Sequence, residues 1–158
     1  MDKRMFLAGA GALSLAIATN FIGPWEGKRN DPYRDIVGIQ TVCYGETRVK
    51  MRSYTDAECT EMLKEAVGDF QWEVVKCVPS LRDKPYQLAA ATSLAYNIGS
   101  ARFCNSTAAK KFRAGDYKGG CQAFYSWDKV TVNGKLIPVK GLANRRKEEV
   151  KLCLQGLM

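Results

Sequence analysis

The sequence predicts an α+β domain in which helices dominate and the strands form only a small sheet near the N-terminal end. Two long segments repeat apolar residues at helical spacing. Residues 33–47 are instead rich in β-branched and aromatic residues around Gly38 and Gly45, which favours a short hairpin. A chain of 158 residues with 46% hydrophobic residues has the length of one globular domain, so we expect one core.

The helices can be placed from their start and stop signals. Thr55 and Glu58 form a capping-box pattern before a helix over about 56–76. A second helix begins at Pro85 and stops at Gly99. Shorter helices are expected over about 106–113, 116–127 and 142–154. Asn133 and Gly134, between two short apolar runs, predict a surface hairpin.

The N-terminus carries an uncharged segment, residues 5–25, directly after Lys3 and Arg4. As a helix it would rise about 31 Å, which matches a bilayer core, but its many small residues make membrane insertion marginal. Three interpretations stay open: an export signal that remains attached, a signal peptide cleaved after Ala18, and a buried helix of a soluble protein. We favour the first, with an uncleaved, membrane-releasable segment over 1–23 and a domain over 24–158 that starts at Pro24.

The composition excludes several kinds of site. Histidine is absent, so the chain has no Ser-His-Asp triad, Cys-His protease site or histidine-containing catalytic zinc site. Six widely spaced cysteines disfavour a metal clamp and favour three disulfides in an oxidising compartment, which agrees with export; the pairing stays open. No metal or cofactor is implied.

The formal net charge of +8 favours a polyanionic partner: a nucleic acid, an anionic membrane or an acidic wall polymer. Nine basic residues are expected to form an exposed face of the helical part: Lys110, Lys111, Arg113, Lys118, Lys129, Lys135, Lys140, Arg145 and Arg146. No base-stacking aromatic pattern interleaves them, which argues against nucleic acid.

Without histidine, the candidate chemistry is that of paired carboxylates. Glu26 lies near a helix end in a setting expected to be apolar, which would keep it protonated as an acid. Asp35, in the hairpin, would stay ionised, and the Thr41 hydroxyl can hold a water, so the three can together hydrolyse a glycosidic bond. The alternative is structural: Glu26 caps a helix, Asp35 pairs with Arg34, and Thr41 is an ordinary strand residue.

The order Glu26, Asp35, Thr41, with Tyr33 before the aspartate and Tyr44 after the threonine, resembles the catalytic signature of bacteriophage lysozymes of glycoside hydrolase family 24. The resemblance covers about residues 24–156 and includes segments 94–99, 103–107, 115–117 and 141–148 and Trp127. It implies a lysozyme-like fold with a cleft between two lobes. It also implies a muramidase that cuts the β-1,4 bond between N-acetylmuramic acid and N-acetylglucosamine in bacterial peptidoglycan and so lyses the host for phage release.

The resemblance assigns roles to individual residues. Glu26 would be the general acid, while Asp35 and Thr41 place and activate the water. Four residues are implied as saccharide contacts on the far wall of the cleft: Tyr96, Asn97, Asn105 and Ser106. Tyr96 is equally well explained as a core residue, and Ser106 as a helix N-cap.

The resemblance also implies a disulfide pattern and shows one departure. The implied pairs are Cys43–Cys59, Cys77–Cys104 and Cys121–Cys153. Glu46 stands where many relatives carry a histidine, which puts an inferred charge contact in doubt more than the activity.

One branch of these endolysins is exported with an uncleaved, weakly hydrophobic signal-anchor that later leaves the membrane, and the N-terminal segment is similar to it. This implies a monomer held inactive in the host inner membrane through residues 5–23, with its catalytic domain periplasmic, and then soluble in the periplasm. Release would let residues 20–27 refold onto the domain and bring Glu26 opposite Asp35 and Thr41. Two alternatives stay open: a noncatalytic, membrane-tethered wall-binding or regulatory protein of the same fold, and an enzyme that forms an anhydro sugar.

Overall fold

The uncharged N-terminal segment forms two helices in the computed structural model, which describes residues 2–157. They are α1 (Lys3–Ala8) and α2 (Ala12–Glu26), separated by a turn that contains Gly9 and Gly11. The side chain of Asp2 caps α1 by accepting a hydrogen bond from the Met5 amide. None of the helices within residues 2–157 combines the length and the apolar character that crossing a bilayer requires.

Both N-terminal helices pack against the rest of the protein. Phe6 of α1 and Ala18 and Ile22 of α2 are fully buried. Pro24, which we expected to start the domain, lies inside α2, two residues before its end. Proline has no backbone N–H, so α2 lacks one intrahelical hydrogen bond there and ends two residues later, at Glu26. The expected boundary at residue 24 therefore does not coincide with a break in the fold.

A small hairpin follows α2, as expected from its residue types. Strand β1 (Arg29–Arg34) pairs antiparallel with β2 (Gln40–Cys43), and Tyr33 lies opposite Thr41. The first strand begins four residues earlier than the 33–47 segment indicated. The turn between the strands includes Gly38 at a φ of 86°, a left-handed conformation that favours glycine.

Two long helices form the centre of the protein. Helix α3 (Asp56–Cys77) begins at the capping box of Thr55 and Glu58, which confirms that prediction. A 3-10 turn (Pro79–Asp83) leads to α4 (Pro85–Ile98), whose residues 87–95 are all buried. Helix α4 contacts α2, α3 and α8, so it is the core helix around which the site residues are arranged.

The C-terminal half consists of short helices, a hairpin and a final long helix. The elements are α5 (Ser100–Cys104), α6 (Thr107–Arg113), α7 (Tyr117–Gln122), a 3-10 turn (Ala123–Ser126), β3 (Lys129–Val132), β4 (Lys135–Pro138) and α8 (Lys140–Gln155). The single helix expected over 116–127 is therefore α7 followed by a tighter turn, which is common at helix ends. The β3–β4 hairpin turns at Asn133 and Gly134, both with positive φ, as predicted.

The three disulfides are those that the family resemblance implied. Cys43–Cys59 joins β2 to α3, Cys77–Cys104 joins the end of α3 to α5, and Cys121–Cys153 joins α7 to α8. All three pairings are confirmed, as is the helix-dominated α+β fold.

Candidate active site

Glu26 is the last residue of α2, and its carboxylate is held by a buried arginine of α8. Nη1 of Arg145 donates to Oε2 of Glu26 over 2.9 Å. The Glu26 side chain is 25% exposed and that of Arg145 only 5%. The apolar setting that we expected for Glu26 is therefore wrong. Its neighbour is a guanidinium group.

Arg145 belongs to a buried charge cluster that includes Arg146 and Glu149 of the same helix. Arg145 is 4% exposed, while Arg146 and Glu149 are fully buried. Both arginines donate to Oε2 of Glu149, and so does the hydroxyl of Ser93 on α4. The expectation that Arg145 and Arg146 join an exposed basic face is therefore wrong, because both side chains point into the protein.

Helical spacing in the sequence already places the charged residues of this cluster on one face of α8. Glu149 follows Arg146 by three residues and Arg145 by four, and Cys153 follows Glu149 by four. Residues with these spacings share one helix face, and Cys153 is fully buried. The cysteine could therefore have shown that both arginines lie on the core side of α8.

Asp35 and Thr41 lie on either side of the β1–β2 turn and are connected through Ile39. Oδ1 of Asp35 accepts hydrogen bonds from the amides of Val37 (3.0 Å) and Ile39 (2.9 Å). The Thr41 hydroxyl donates to the Ile39 carbonyl over 3.0 Å. Two of the three catalytic candidates are thus fixed by one short turn.

The structural alternative for these residues is only partly supported. Arg34 donates to the Gly38 carbonyl instead of pairing with Asp35. Thr41 lies in β2 and is buried, so it is a strand residue, which is compatible with the expected role in placing a water. Glu26 ends α2, but Gly27 is the residue whose backbone closes that end, through its bond to the Gly23 carbonyl.

Tyr96 is half-buried and lies within electrostatic range of Glu26. Its ring packs on Phe70, with ring centroids 5.0 Å apart. Burial, followed by the negative charges of Glu26 and Glu46, raises the pKa of Tyr96 to about 12. The hydroxyl therefore remains a hydrogen-bond donor at any physiological pH. Tyr96 is at least in part a core residue, and its saccharide contact stays a prediction.

Asn97 lines a cavity of about 670 Å³ on the helical side of the molecule. Arg146 donates to Oδ1 of Asn97 over 2.8 Å and to the carbonyl of Trp127 over 3.1 Å, and both residues line the cavity. The other lining residues include Ile98, Arg102, Lys129, Thr131, Leu136 and Leu142. Glu26, Asp35 and Thr41 are not among the residues that line it.

Asn105 and Ser106 do not line this cavity. Asn105 is exposed, and its amide donates to the Ala101 carbonyl at the end of α5. The Ser106 hydroxyl accepts from the Ala109 amide and donates to the Phe103 carbonyl, as an N-cap of α6 does. The N-cap alternative for Ser106 is confirmed, while the saccharide contacts of both residues stay predictions.

Comparisons with known proteins identify relatives among phage endolysins. The chain is 38% identical to a SAR-endolysin of Pseudomonas phage phiKMV, over 90% of this chain and 89% of that protein. The structure is similar to an endolysin from Escherichia coli O157:H7 phage FAHEc1, with a TM-score of 0.76 and 32% identity over 87% of this chain and 90% of that one.

The N-terminal helices are included in a further structural match. The crystal structure of the active form of the P1 phage endolysin Lyz matches 99% of this chain and 93% of that chain, with a TM-score of 0.76 and 25% identity. Residues 23–149 also match the phage lysozyme family, a span that runs from the end of α2 into α8 and contains every catalytic candidate. This chain belongs to the phage lysozyme family.

Proposed function

We propose that this protein is an endolysin that hydrolyses the β-1,4 bond between N-acetylmuramic acid and N-acetylglucosamine in bacterial peptidoglycan. The chain is exported, held inactive in the host inner membrane through residues 5–23, and released into the periplasm, where it acts as a monomer without a cofactor. Nucleic acid is not a partner. The burial of Arg145 and Arg146 supports this point, because it removes two charges from the exposed basic face.

One observation carries the proposal: Glu26 is the final residue of α2, and α2 is built from the apolar N-terminal segment. In this arrangement, packing of Ala18 and Ile22 into the core fixes the helix whose end presents Glu26 to Arg145. A segment inserted in a bilayer cannot make these contacts. The same residues that would anchor the protein therefore also complete its active site.

The proposed reaction uses four side chains. Glu26 donates a proton to the oxygen of the breaking glycosidic bond and becomes a carboxylate as that bond breaks. Arg145 stabilises the negative charge that develops on Glu26 in this step. Asp35 and Thr41 hold the water that adds to the sugar, on a turn whose backbone hydrogen bonds limit its motion.

The test is clearing of purified Gram-negative peptidoglycan by the full, oxidised chain beside its Glu26→Gln variant. We expect clearing by the unaltered protein only, with N-acetylmuramic acid at the new reducing ends. Anhydro sugar products would instead indicate a transglycosylase. Binding to peptidoglycan without any cleavage would indicate the noncatalytic wall-binding alternative, in which the family likeness reports the fold alone.

A further inference from the structure

Glu149 is a fully buried carboxylate in α8 that contacts Arg145 and, among the described residues, has no hydrogen bond to Glu26, Asp35 or Thr41. Its Oε2 accepts from Ser93 Oγ at 2.5 Å, Arg146 Nη2 at 3.2 Å and Arg145 Nε at 3.3 Å. Arg146 Nε also lies 2.7 Å from its Oε1. Burial raises the pKa of Glu149, while the two guanidinium groups oppose that effect. The surrounding groups are all donors, which is the environment of an ionised carboxylate.

The two arginines connect Glu149 to opposite parts of the molecule. Arg145 extends to Glu26 at the end of α2, over 2.9 Å. Arg146 extends to the side chain of Asn97 and the carbonyl of Trp127, which line the large cavity. Glu149 is thus the shared counter-ion of two guanidinium groups that would otherwise repel each other inside the protein.

We propose that Glu149 is a positioning residue for the general acid, acting through Arg145 by taking up part of its positive charge. The inference rests on the proposed function, since it gives Glu26 the role of the acid. It goes beyond that function because the proposed reaction gives the fully buried Glu149 no role.

The net charge of the cluster changes with the protonation of Glu26. With Glu26 ionised, the two arginines and two carboxylates sum to zero; with Glu26 protonated, the sum is +1. Without the charge of Glu149 the same two states carry +1 and +2, so protonation of Glu26 becomes less favourable. Glu149 therefore favours the protonated form in which Glu26 can act as an acid.

Other titratable groups face the cluster from neighbouring elements. Tyr96 of α4 and Glu46 lie on the side of Glu26, and Asp128 lies on the side of Arg146. Tyr96 stays neutral in the working range because burial raises its pKa to about 12. Glu46 and Asp128 are left unaltered in every variant below, so the variants differ only within the cluster.

The test is the pH dependence of kcat/KM on soluble peptidoglycan fragments. The alkaline limb of this profile reports the group that must be protonated. In Glu149→Gln, which keeps the size of the side chain, we expect this limb to move to lower pH by about one unit. In Arg146→Gln, which removes a positive charge from the same cluster, we expect it to move to higher pH. Lys147→Gln, on the exposed side of α8, should leave it unchanged.

A purely structural role for Glu149 would lower activity at every pH and leave the alkaline limb in place. That result overturns the inference, as does a shift of the same sign in both cluster variants. Circular dichroism identifies a variant that does not fold. If Glu149→Gln does not fold, the direction in which Arg146→Gln moves the alkaline limb decides whether the inference stands. Activity in Glu26→Gln would instead show that the proposed function itself is wrong, which separates the two failures.

Discussion

Arg145 and Glu26 are 119 residues apart in the sequence, yet Nη1 of Arg145 donates to Oε2 of Glu26 over 2.9 Å. The contact joins the end of the N-terminal apolar segment to the final helix. Arg145 is itself held by Glu149 and by Ser93. The position of Glu26, the proposed catalytic acid, therefore depends on elements from the beginning, middle and end of the chain.

Replacement of Arg145 should affect the chemical step more than substrate binding. Arg145→Gln removes the charge that stabilises the developing carboxylate, so we expect kcat to fall about 100-fold with a smaller change in KM. Reducing-end release from soluble peptidoglycan fragments measures both constants. Lys147→Gln, an exposed change in the same helix, is the control. A kcat within twofold of the unaltered protein's would remove Arg145 from the mechanism.

Asp35 has a structural and a proposed catalytic role that two substitutions can separate. Asp35→Asn keeps an oxygen for the amides of Val37 and Ile39 but loses the charge, so we expect a stable protein with activity lower by about 100-fold. Asp35→Ala loses the turn bonds as well and should lower the free energy of unfolding by about 1–2 kcal/mol. Full activity in Asp35→Asn would leave Asp35 as a turn residue only.

Gly11 lies where the N-terminal helices meet the body of the protein. A Cβ added there would overlap the ring of Phe6 and lie 2.8 Å from Nε2 of Gln71, whose amide donates to the Gly11 carbonyl. We expect Gly11→Ala to lower the free energy of unfolding by about 1–3 kcal/mol, measured by urea denaturation.

Gly141→Ala is the matched control for that change. Gly141 lies in α8, and a Cβ there meets no atom within 4 Å. Because alanine favours a helix over glycine, this variant should be more stable by about 0.5–1 kcal/mol. Equal effects at the two glycines would argue that the N-terminal segment is not packed as described.

The Cys77–Cys104 disulfide closes a loop with a sequence separation of 27. Loss of that constraint in Cys77→Ala/Cys104→Ala should lower the free energy of unfolding by about 3.5 kcal/mol. Arg113 also donates to the carbonyls of both cysteines, so it should hold the native geometry in the variant. Denaturation of the variant with and without Arg113→Met measures this contribution. A loss below about 1 kcal/mol from the cysteine change alone would contradict the expected stabilisation.

Local signals in the sequence were sufficient to predict the position of many of the helices and turns. The Thr55 capping box, the stop at Gly99 and the turn at Asn133 each depend on the geometry of a few neighbouring residues, and each was placed correctly. The disulfide pairing joins distant residues and came from family likeness, since many pairings of the six cysteines satisfy the spacing equally.

The environment of the site was not accessible to the same reasoning. Arg145 and Arg146 were expected on an exposed face because buried charges are rare, and only their contacts with Glu26 and Glu149 explain the burial. Pro24 was expected to mark the start of the domain because proline commonly starts or stops a helix. In the structure it lies in the last turn of α2. Both differences arise from tertiary packing, which local pattern does not contain.

We propose that the apolar segment both anchors the protein and completes its active site. The specific activity of the same chain, held in the membrane and released from it, tests this directly. The full chain would be assayed in energised membranes and again after release from them, with the amount of folded protein measured in each fraction. We expect little activity in the membrane-held form and full activity after release, because only then can α2 bring Glu26 to Arg145. Equal specific activity in the two fractions would contradict it.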